Sequence, residues 1–391
     1  MISVETATAR LLELVVPLAP ETVPLRAAAG RVLAAPVTAR QSQPPFPASA
    51  MDGYAVAVAN PAPGDTFRVV GEAAAGHPYG GALKGRDAVR IFTGAPLPPG
   101  SRRVVIQEDV TRDGDTIRLG DDLDLSDYIR PAGGDFEQGM KLAAPRRLGS
   151  RDIALLAAMG HGDVPVVRCP SVAIVMTGDE LRAPGEPLAP GQITASNGYG
   201  LAAMLEAAGA EVRILPIARD RTGSLRTVLD LARGADLVVT VGGASVGDHD
   251  LVAGAAGAAG LDLAFHKVAM RPGKPLLAGR LQGAVMVGLP GNPVSAMVCG
   301  VVFLLPMLRR MLGLPPEVAT VRCPLSAPLP ANGGRQHYMR GRRVEGGCVA
   351  EARQDSSLLS VLARADLLIL RPPNDPARET GDIVDVVDLP L

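Results

Sequence analysis

The stretch SVAIVMTGDE (171–180) decides how the chain is read. Its residues 172–176 form an uninterrupted apolar run. Such a run fits a strand buried on both faces, as in a parallel sheet. It then breaks into Thr177-Gly178-Asp179-Glu180, a turn of small and acidic residues at the strand's carboxyl end. In open α/β sheets that end is where ligands bind.

Outward from this strand, the pattern predicts a helix over 197–208 ending at Gly209 and a strand over 212–217. A helix near 222–233, a strand over 237–241 and a helix over 250–259 follow. A strand near 263–268, a β-hairpin around 275–288 and a long helix over 293–312 close the unit. Strand and helix alternate, so the expectation is a central, mostly parallel sheet covered by helices on both faces. The flanks read differently. Residues 1–45 suggest a helix capped by Ser3 and then extended segments broken by proline, and 150–160 suggest a short helix. Residues 46–135 hold strand-like pieces at 67–70, 88–92, 103–107 and 116–119, separated by turn signals, which predicts a β-rich module. Residues 318–391 return to short strands between Gly and Pro turns, as in a small β-barrel. The expected fold is therefore α/β and multidomain. Its parts are a linking domain of 1–45 plus 136–169, a β-rich module of 46–135, an α/β domain of 170–312 and a C-terminal β-barrel-like domain of 313–391.

Composition agrees with this division and excludes other classes. At 391 residues the chain exceeds a usual domain of ~100–200 residues. A net charge of -1 provides no field to draw it to nucleic acid or a membrane surface. Trp is absent and aromatics make up 3%, too few for platforms that stack single-stranded nucleic acid. The N-terminus lacks a basic stretch and a small-residue cleavage site, and the apolar run at 294–308 ends with Pro306 and the Arg309–Arg310 pair. A cytoplasmic protein without a membrane span is expected. Cys169, Cys299, Cys323 and Cys348 have no C-x-x-C spacing and no His at zinc-ligand distance, so they read as buried reduced thiols.

The chemistry is concentrated at three predicted strand ends. Besides 177–180 there are Gly242-Gly243-Ala244-Ser245-Val246-Gly247-Asp248 and Gly288-Leu289-Pro290-Gly291-Asn292-Pro293. The last two lead into helices, whose free N–H groups favour anions. A basic segment, HKVAMRPGKP (266–275), places Lys267, Arg271 and Lys274 in a loop stiffened by two prolines. Asp179, Glu180, Asp220, Asp248 and Asp250 fall at the same edge. Carboxylates beside an anion site repel the ligand unless a divalent cation bridges them, and Mg²⁺ is the usual solution. Helix-start carboxylates at Asp248 and Asp250 are equally what a helix dipole favours. Upstream, Ser49-Ala50-Met51-Asp52-Gly53-Tyr54-Ala55 presents one carboxylate among small residues, and Thr93 sits in a tight turn. Spacing alone leaves Asp52 as either a helix cap or a functional acid.

Taken together, SAMDGYA (49–55), TGAPLPPG (93–100), TGDEL (177–181), GGASVGDHD (242–250), KVAMRPGKP (267–275) and GLPGNPVSA (288–296) resemble, in this order, the molybdopterin molybdenumtransferases, a family that includes the C-terminal enzyme domain of gephyrin. The resemblance spans essentially the whole chain and makes 170–312 a molybdopterin-binding domain. It implies an enzyme that takes adenylyl-molybdopterin and molybdate, inserts molybdenum and releases AMP with the help of Mg²⁺. It also implies a homodimer with an active cleft shared between subunits, and transient contact with the molybdopterin adenylyltransferase. By the same resemblance Asp52, Thr93, Asp135, Glu180, Asp220 and Asp250 are catalytic, with Glu180, Asp220 and Asp250 holding the metal. Arg130, Thr177, Gly178, Gly242, Gly243, Ser245, Gly247, Lys267, Arg271, Lys274, Pro290, Gly291, Asn292, Ser295 and Arg340 would bind the cofactor precursor. The chain departs from the family at Pro47-Ala48, at Gly134 and at Arg271, where a lysine is common. Two alternatives are an adenylyltransferase, whose single domain resembles 170–312 and which consumes ATP, and a non-catalytic scaffold that kept the fold.

Overall fold

A computed structural model describes residues 1–124, 126–243, 251–258 and 260–389. The chain forms two compact units: Thr22–Ala29 with Ala35–Pro165, and Met1–Glu21 with Gly30–Ala34 and Val166–Leu391.

The larger unit is built on the predicted central sheet. Its six strands run, edge to edge, Glu211–Ile214, Ser171–Met176, Leu237–Val241, Ala284–Leu289, Leu277–Leu281 and Asp262–His266. The first four are mutually parallel, and the last two join antiparallel. Alternation along each strand divides the side chains between two cores. Val172, Ile174 and Met176 pack with Leu201 and Leu205 of the Asn197–Ala207 helix and with Val294 and Val298 of the Pro293–Cys299 helix. Ala173 and Val175 face the other way, onto Leu225, Val228 and Leu229 of the Thr222–Leu231 helix and Ala255 and Ala256 of the Leu251–Ala258 helix. Helices thus cover both faces. The N-terminal Val4–Leu14 helix, capped by Ser3 Oγ accepting the Thr6 N–H at 3.0 Å, buries Val4, Ala7 and Leu11 in the first of these cores.

The long helix predicted over 293–312 has three pieces: α-helical Pro293–Cys299, a π-helical turn at Gly300–Leu304 and α-helical Leu305–Met311. Pro306 has no N–H to give the preceding turn, and a widened turn is one way to absorb that loss. The 19 helical residues are apolar enough to cross a membrane, but 78% of that stretch is buried within the protein. It is a core helix.

The C-terminal strands form the expected small barrel. Met270–Arg271, Gln336–Val344, Leu367–Arg371, Ile383–Asp388 and Val321–Pro324 pair in that order, with Gly347–Ala350 added to Gln336–Val344. A bridge between Leu325 and Cys348, with the Ser326 N–H donating to Cys348 O at 2.8 Å, closes the ring. Inside, Arg371 (1% exposed) pairs with Asp375, which also accepts Arg378 Nη2 at 2.6 Å. All four cysteines are free thiols; three are buried and Cys169 is half-buried.

The smaller unit contains a six-stranded sheet in the order Arg103–Ile106, Gly53–Val56, Asp87–Ile91, Thr66–Ala73, Thr116–Leu119 and Val110–Asp113. Gly53 is required there: a Cβ would lie 2.0 Å from the Val105 carbonyl oxygen on the neighbouring strand.

Candidate active site

The carboxyl ends of the central strands open into a cleft of about 900 Å³. Its walls contain Thr177, Gly178, Glu180, Asp220, Gly242, Gly243, Pro290, Gly291 and Asn292, so the structure brings together residues from three separate loops of the prediction. The local folding is tight. Strand pairing continues past Met176, as the Thr177 N–H donates to Val241 O at 3.0 Å and the Gly178 N–H to Ala218 O at 3.1 Å. Gly242 turns at φ +96°, where a Cβ would meet the Thr177 carbonyl oxygen at 2.6 Å. Only glycine lets the chain leave the strand so close to its neighbour. The Glu180 carboxylate folds over Gly178, within 2.5 Å of where a Cβ would stand. Asp220 enters from the next connection, its N–H donating to Asp179 Oδ1 at 3.3 Å. Two exposed carboxylates, Glu180 and Asp220, therefore share one cleft with glycine-lined backbone. Among the described residues no cluster of three potential metal ligands occurs. Ser245, Gly247 and Asp250 lie outside the described residues, and Asp250 is the third member of the expected metal set.

The GLPGNP segment differs slightly from its sequence reading. Gly288 and Leu289 belong to the strand, so the loop proper begins at Pro290. Ser295 is inside the following helix and 4% exposed. Sequence reasoning missed what holds this loop. Asn197 Nδ2 donates to Gly291 O at 2.8 Å, and Asn292 Nδ2 donates to Ser356 Oγ at 3.0 Å. Ser356 O also accepts the Val294 N–H at 3.0 Å. The signal for Asn197 was its place at the first turn of a helix following a strand, and it lines the cleft.

The basic loop is preorganised. The Lys267 N–H donates to Leu276 O at 2.8 Å and the Val268 N–H to Lys274 O at 3.0 Å. Lys267 itself has φ +73°, a conformation side chains rarely adopt and one that recurs at functional sites. Gly273 is needed because a Cβ would press on Cys299 Sγ at 2.5 Å. Lys267 is half-buried, and Arg271 and Lys274 are exposed. None of the three lines the 900 Å³ cleft, but Pro275, next to Lys274, does. Arg340 lies on the outer face of its barrel strand, opposite Leu368 and on the side of the α/β core, 1% exposed, donating through Nε (3.3 Å) and Nη2 (3.2 Å) to Gln354 Oε1 and through Nη1 (2.7 Å) to Asp355 O.

In the smaller unit, Asp52 Oδ1 accepts the Thr93 N–H at 2.8 Å and the Thr93 hydroxyl at 2.9 Å. The backbone bond, then the hydroxyl, and more weakly the nearby Arg90 charge hold the Asp52 carboxyl below its ordinary range, against a small opposing effect of burial. Arg90 itself stacks on Tyr54 and Phe92 at 5.1 and 4.7 Å. Residues 43–49 pair antiparallel with 129–136: Arg130 lies opposite Ala48, and the Asp135 N–H donates to Gln43 O at 2.9 Å. Arg130 and Asp135 are exposed along that ladder, and Asp52 follows directly on it. The resemblance, and not the spacing, singled out this set.

Known proteins match this arrangement along the chain. Three family models match in succession: the MoeA N-terminal region (domain I and II) over 2–160, the probable molybdopterin binding domain over 173–310 and the MoeA C-terminal region (domain IV) over 322–389. A molybdopterin molybdenumtransferase 2 of Mycobacterium tuberculosis is 37% identical over 390 residues, which is 95% of this chain and 95% of the relative. A molybdopterin molybdenumtransferase of Nostoc sp. is 34% identical over 388 residues, 95% of this chain and 89% of the relative. The crystal structure of the molybdopterin biosynthesis MoeA protein from Pyrococcus horikoshii OT3 is 26% identical and superposes with a TM-score of 0.84, covering 100% of both chains. With its motifs, its sheets and its full-length relatives in agreement, the chain belongs to the molybdopterin molybdenumtransferase (MoeA) family.

Proposed function

We propose that this protein inserts molybdenum from molybdate into adenylyl-molybdopterin and releases AMP. The observation that carries the reading is the pairing of Glu180 and Asp220 in one glycine-lined cleft. Backbone N–H groups and small residues suit phosphate oxygens, and the two acids suit a cation that accompanies them. Mg²⁺ would be held by Glu180 and Asp220, with Asp250, and would offset the charge of the phosphates. Lys267, Arg271, Lys274 and Arg130 supply positive charge to molybdate and phosphate, and Arg340 adds charge from beneath the surface. Thr93 fixes the Asp52 carboxylate, which with Asp135 takes up or returns protons as an oxygen of molybdate departs as water or hydroxide. Thr177, Gly178, Gly242, Gly243, Pro290, Gly291 and Asn292 shape the pocket; by the resemblance Ser245 and Gly247 would add to it, while Ser295, buried in the helix that follows Asn292, would support the loop from behind.

The same reading makes the protein a cytoplasmic homodimer of four-part subunits, divided as the sequence suggests, that receives its substrate through transient contact with the adenylyltransferase. Each active cleft of the dimer draws on both chains. The decisive experiment follows AMP release from adenylyl-molybdopterin. Release that rises with molybdate and stops with EDTA is expected; release indifferent to both would overturn the function, and a requirement for ATP would make the protein an adenylyltransferase.

A further inference from the structure

Arg90 stands on an interior strand of the smaller unit's sheet, Asp87–Ile91, between Gly53–Val56 and Thr66–Ala73. It is half-buried, and its strand neighbours Val89 and Ile91 are fully buried. A guanidinium in such a place gives up hydration that its contacts have to replace. Glu72 lies directly opposite it on the parallel strand. Both terminal nitrogens nevertheless turn elsewhere: Nη1 donates to Gly53 O at 3.1 Å and Nη2 to Gln107 Oε1 at 2.6 Å. The guanidinium also stacks on the rings of Tyr54 and Phe92.

These contacts surround the Asp52–Thr93 pair. Gly53 follows Asp52, Phe92 precedes Thr93, and the Gln107 N–H donates to Asp52 O at 3.1 Å. One planar group therefore fixes the peptide after the acid, the ring before the hydroxyl and the segment that holds the acid's own carbonyl. A lysine could supply the charge but neither the fork nor the stacking face. The Thr93 backbone bond and hydroxyl come first in holding the Asp52 carboxyl low, and the Arg90 charge adds to them. We propose that Arg90 is a positioning residue, which acts through Gly53, Phe92 and Gln107 to hold the Asp52 carboxylate against the Thr93 hydroxyl in the geometry used for proton transfer. The inference rests on the reading of Asp52 as the group that takes up or returns protons. It adds the element that keeps this acid in place.

Arg90→Lys in the full-length protein tests geometry against charge. Its kcat for AMP release should fall roughly tenfold to hundredfold, as misplacement of a reacting group predicts, with KM close to wild type. Combined with Thr93→Val, it should cost little more than the worse of the two single changes, because both act through the same carboxylate. Titration of the Asp52 carboxyl carbon by ¹³C NMR, assigned with Asp52→Asn, supplies a readout that a purely structural role would leave unmoved. In Arg90→Lys the Asp52 carboxyl should rise toward its ordinary value although the charge is kept. Gln107→Ala removes one anchor from an exposed position that the fold tolerates, and should move Asp52 the same way by less. An Asp52 titration unchanged in both variants, strictly additive losses with Thr93→Val, or a rise in KM at constant kcat would overturn the assignment. The titration is read without substrate, so the two readings fall separately. AMP release indifferent to molybdate would remove the proposed reaction and leave the hold of Arg90 on Asp52 standing.

Discussion

Asp52 and Thr93 are joined twice: one carboxylate oxygen accepts both the backbone N–H and the side-chain hydroxyl of a residue 41 positions downstream. Gly53 and Ile91 lie opposite each other on adjacent strands, so the sheet delivers the two turns to one another. Thr93→Val keeps the backbone bond and removes the hydroxyl. The Asp52 carboxyl then rises toward its ordinary value, and the acid limb of the pH–activity profile moves to higher pH. Thr93→Ser retains the wild-type limb. A Thr93→Val profile superimposable on wild type would show that the Asp52 carboxylate does not titrate in the reaction.

Glu180 tests the main cleft. It is exposed in a turn at the end of a strand and supports no core contact, so Glu180→Ala should unfold within a few degrees of wild type while molybdenum insertion is abolished. Thermal unfolding and AMP release on the same preparation check both halves. Asn197→Ala loses the bond to Gly291 O and leaves the loop less defined. A neutral hydrogen bond contributes ~0.5–1.5 kcal/mol, so phosphate-ligand affinity should fall by about tenfold at most.

How far these features were legible follows from the kind of interaction each depends on. The run 172–176 announced a buried strand because burial on both faces demands an apolar side chain at every position, and that demand is local. The C-terminal barrel was legible as a type, from short strands between Gly and Pro turns, but not in how it closes. Its closure depends on Leu325 meeting Cys348, a contact between segments with no periodic relation. The π-turn at Gly300–Leu304 was invisible for a related reason: helical spacing of apolar residues survives a widened turn, and Pro306 marks a disturbance without specifying its form. At the site, glycine-rich loops after apolar strands signalled an anion cleft by themselves. Asn197 holding Gly291 did not, because a polar residue at a helix start has an ordinary explanation as a cap.

His337 gives the barrel an acid limit. Burial, and then the charges of Arg271, Arg340, Arg371 and Arg335, push its pKa down to about 4 from 6.5. The folded protein keeps this imidazole neutral where the unfolded chain would protonate it. The unfolded state therefore binds the extra proton, and stability falls as pH drops from about 6.5 toward 4. The full difference is on the order of 3 kcal/mol. Urea unfolding across that interval should show a positive slope of stability with pH. His337→Gln should flatten it, and an equal slope in the variant would assign the acid sensitivity to other groups.

The shared cleft of the proposed homodimer has a test that does not depend on seeing the interface. In that arrangement each cleft takes Asp52 and Thr93 from one chain and Lys267 and Lys274 from the other. An Asp52→Ala homodimer is damaged in both clefts, and so is a Lys274→Ala homodimer. In a dimer of one chain of each kind, both lesions fall in the same cleft and the second cleft is wholly wild type. Random assortment of equal amounts makes about half the dimers mixed, each with one working cleft, so activity returns to roughly a quarter of wild type when the clefts act independently. The two variants carry different affinity tags, are co-expressed, and the doubly tagged dimer is purified before AMP release is measured. Isolated in this way, the mixed dimer should show about half of wild-type activity per dimer. If doubly tagged dimers are as inactive as either parent, Asp52 and Lys274 serve from the same chain and the cleft is not shared.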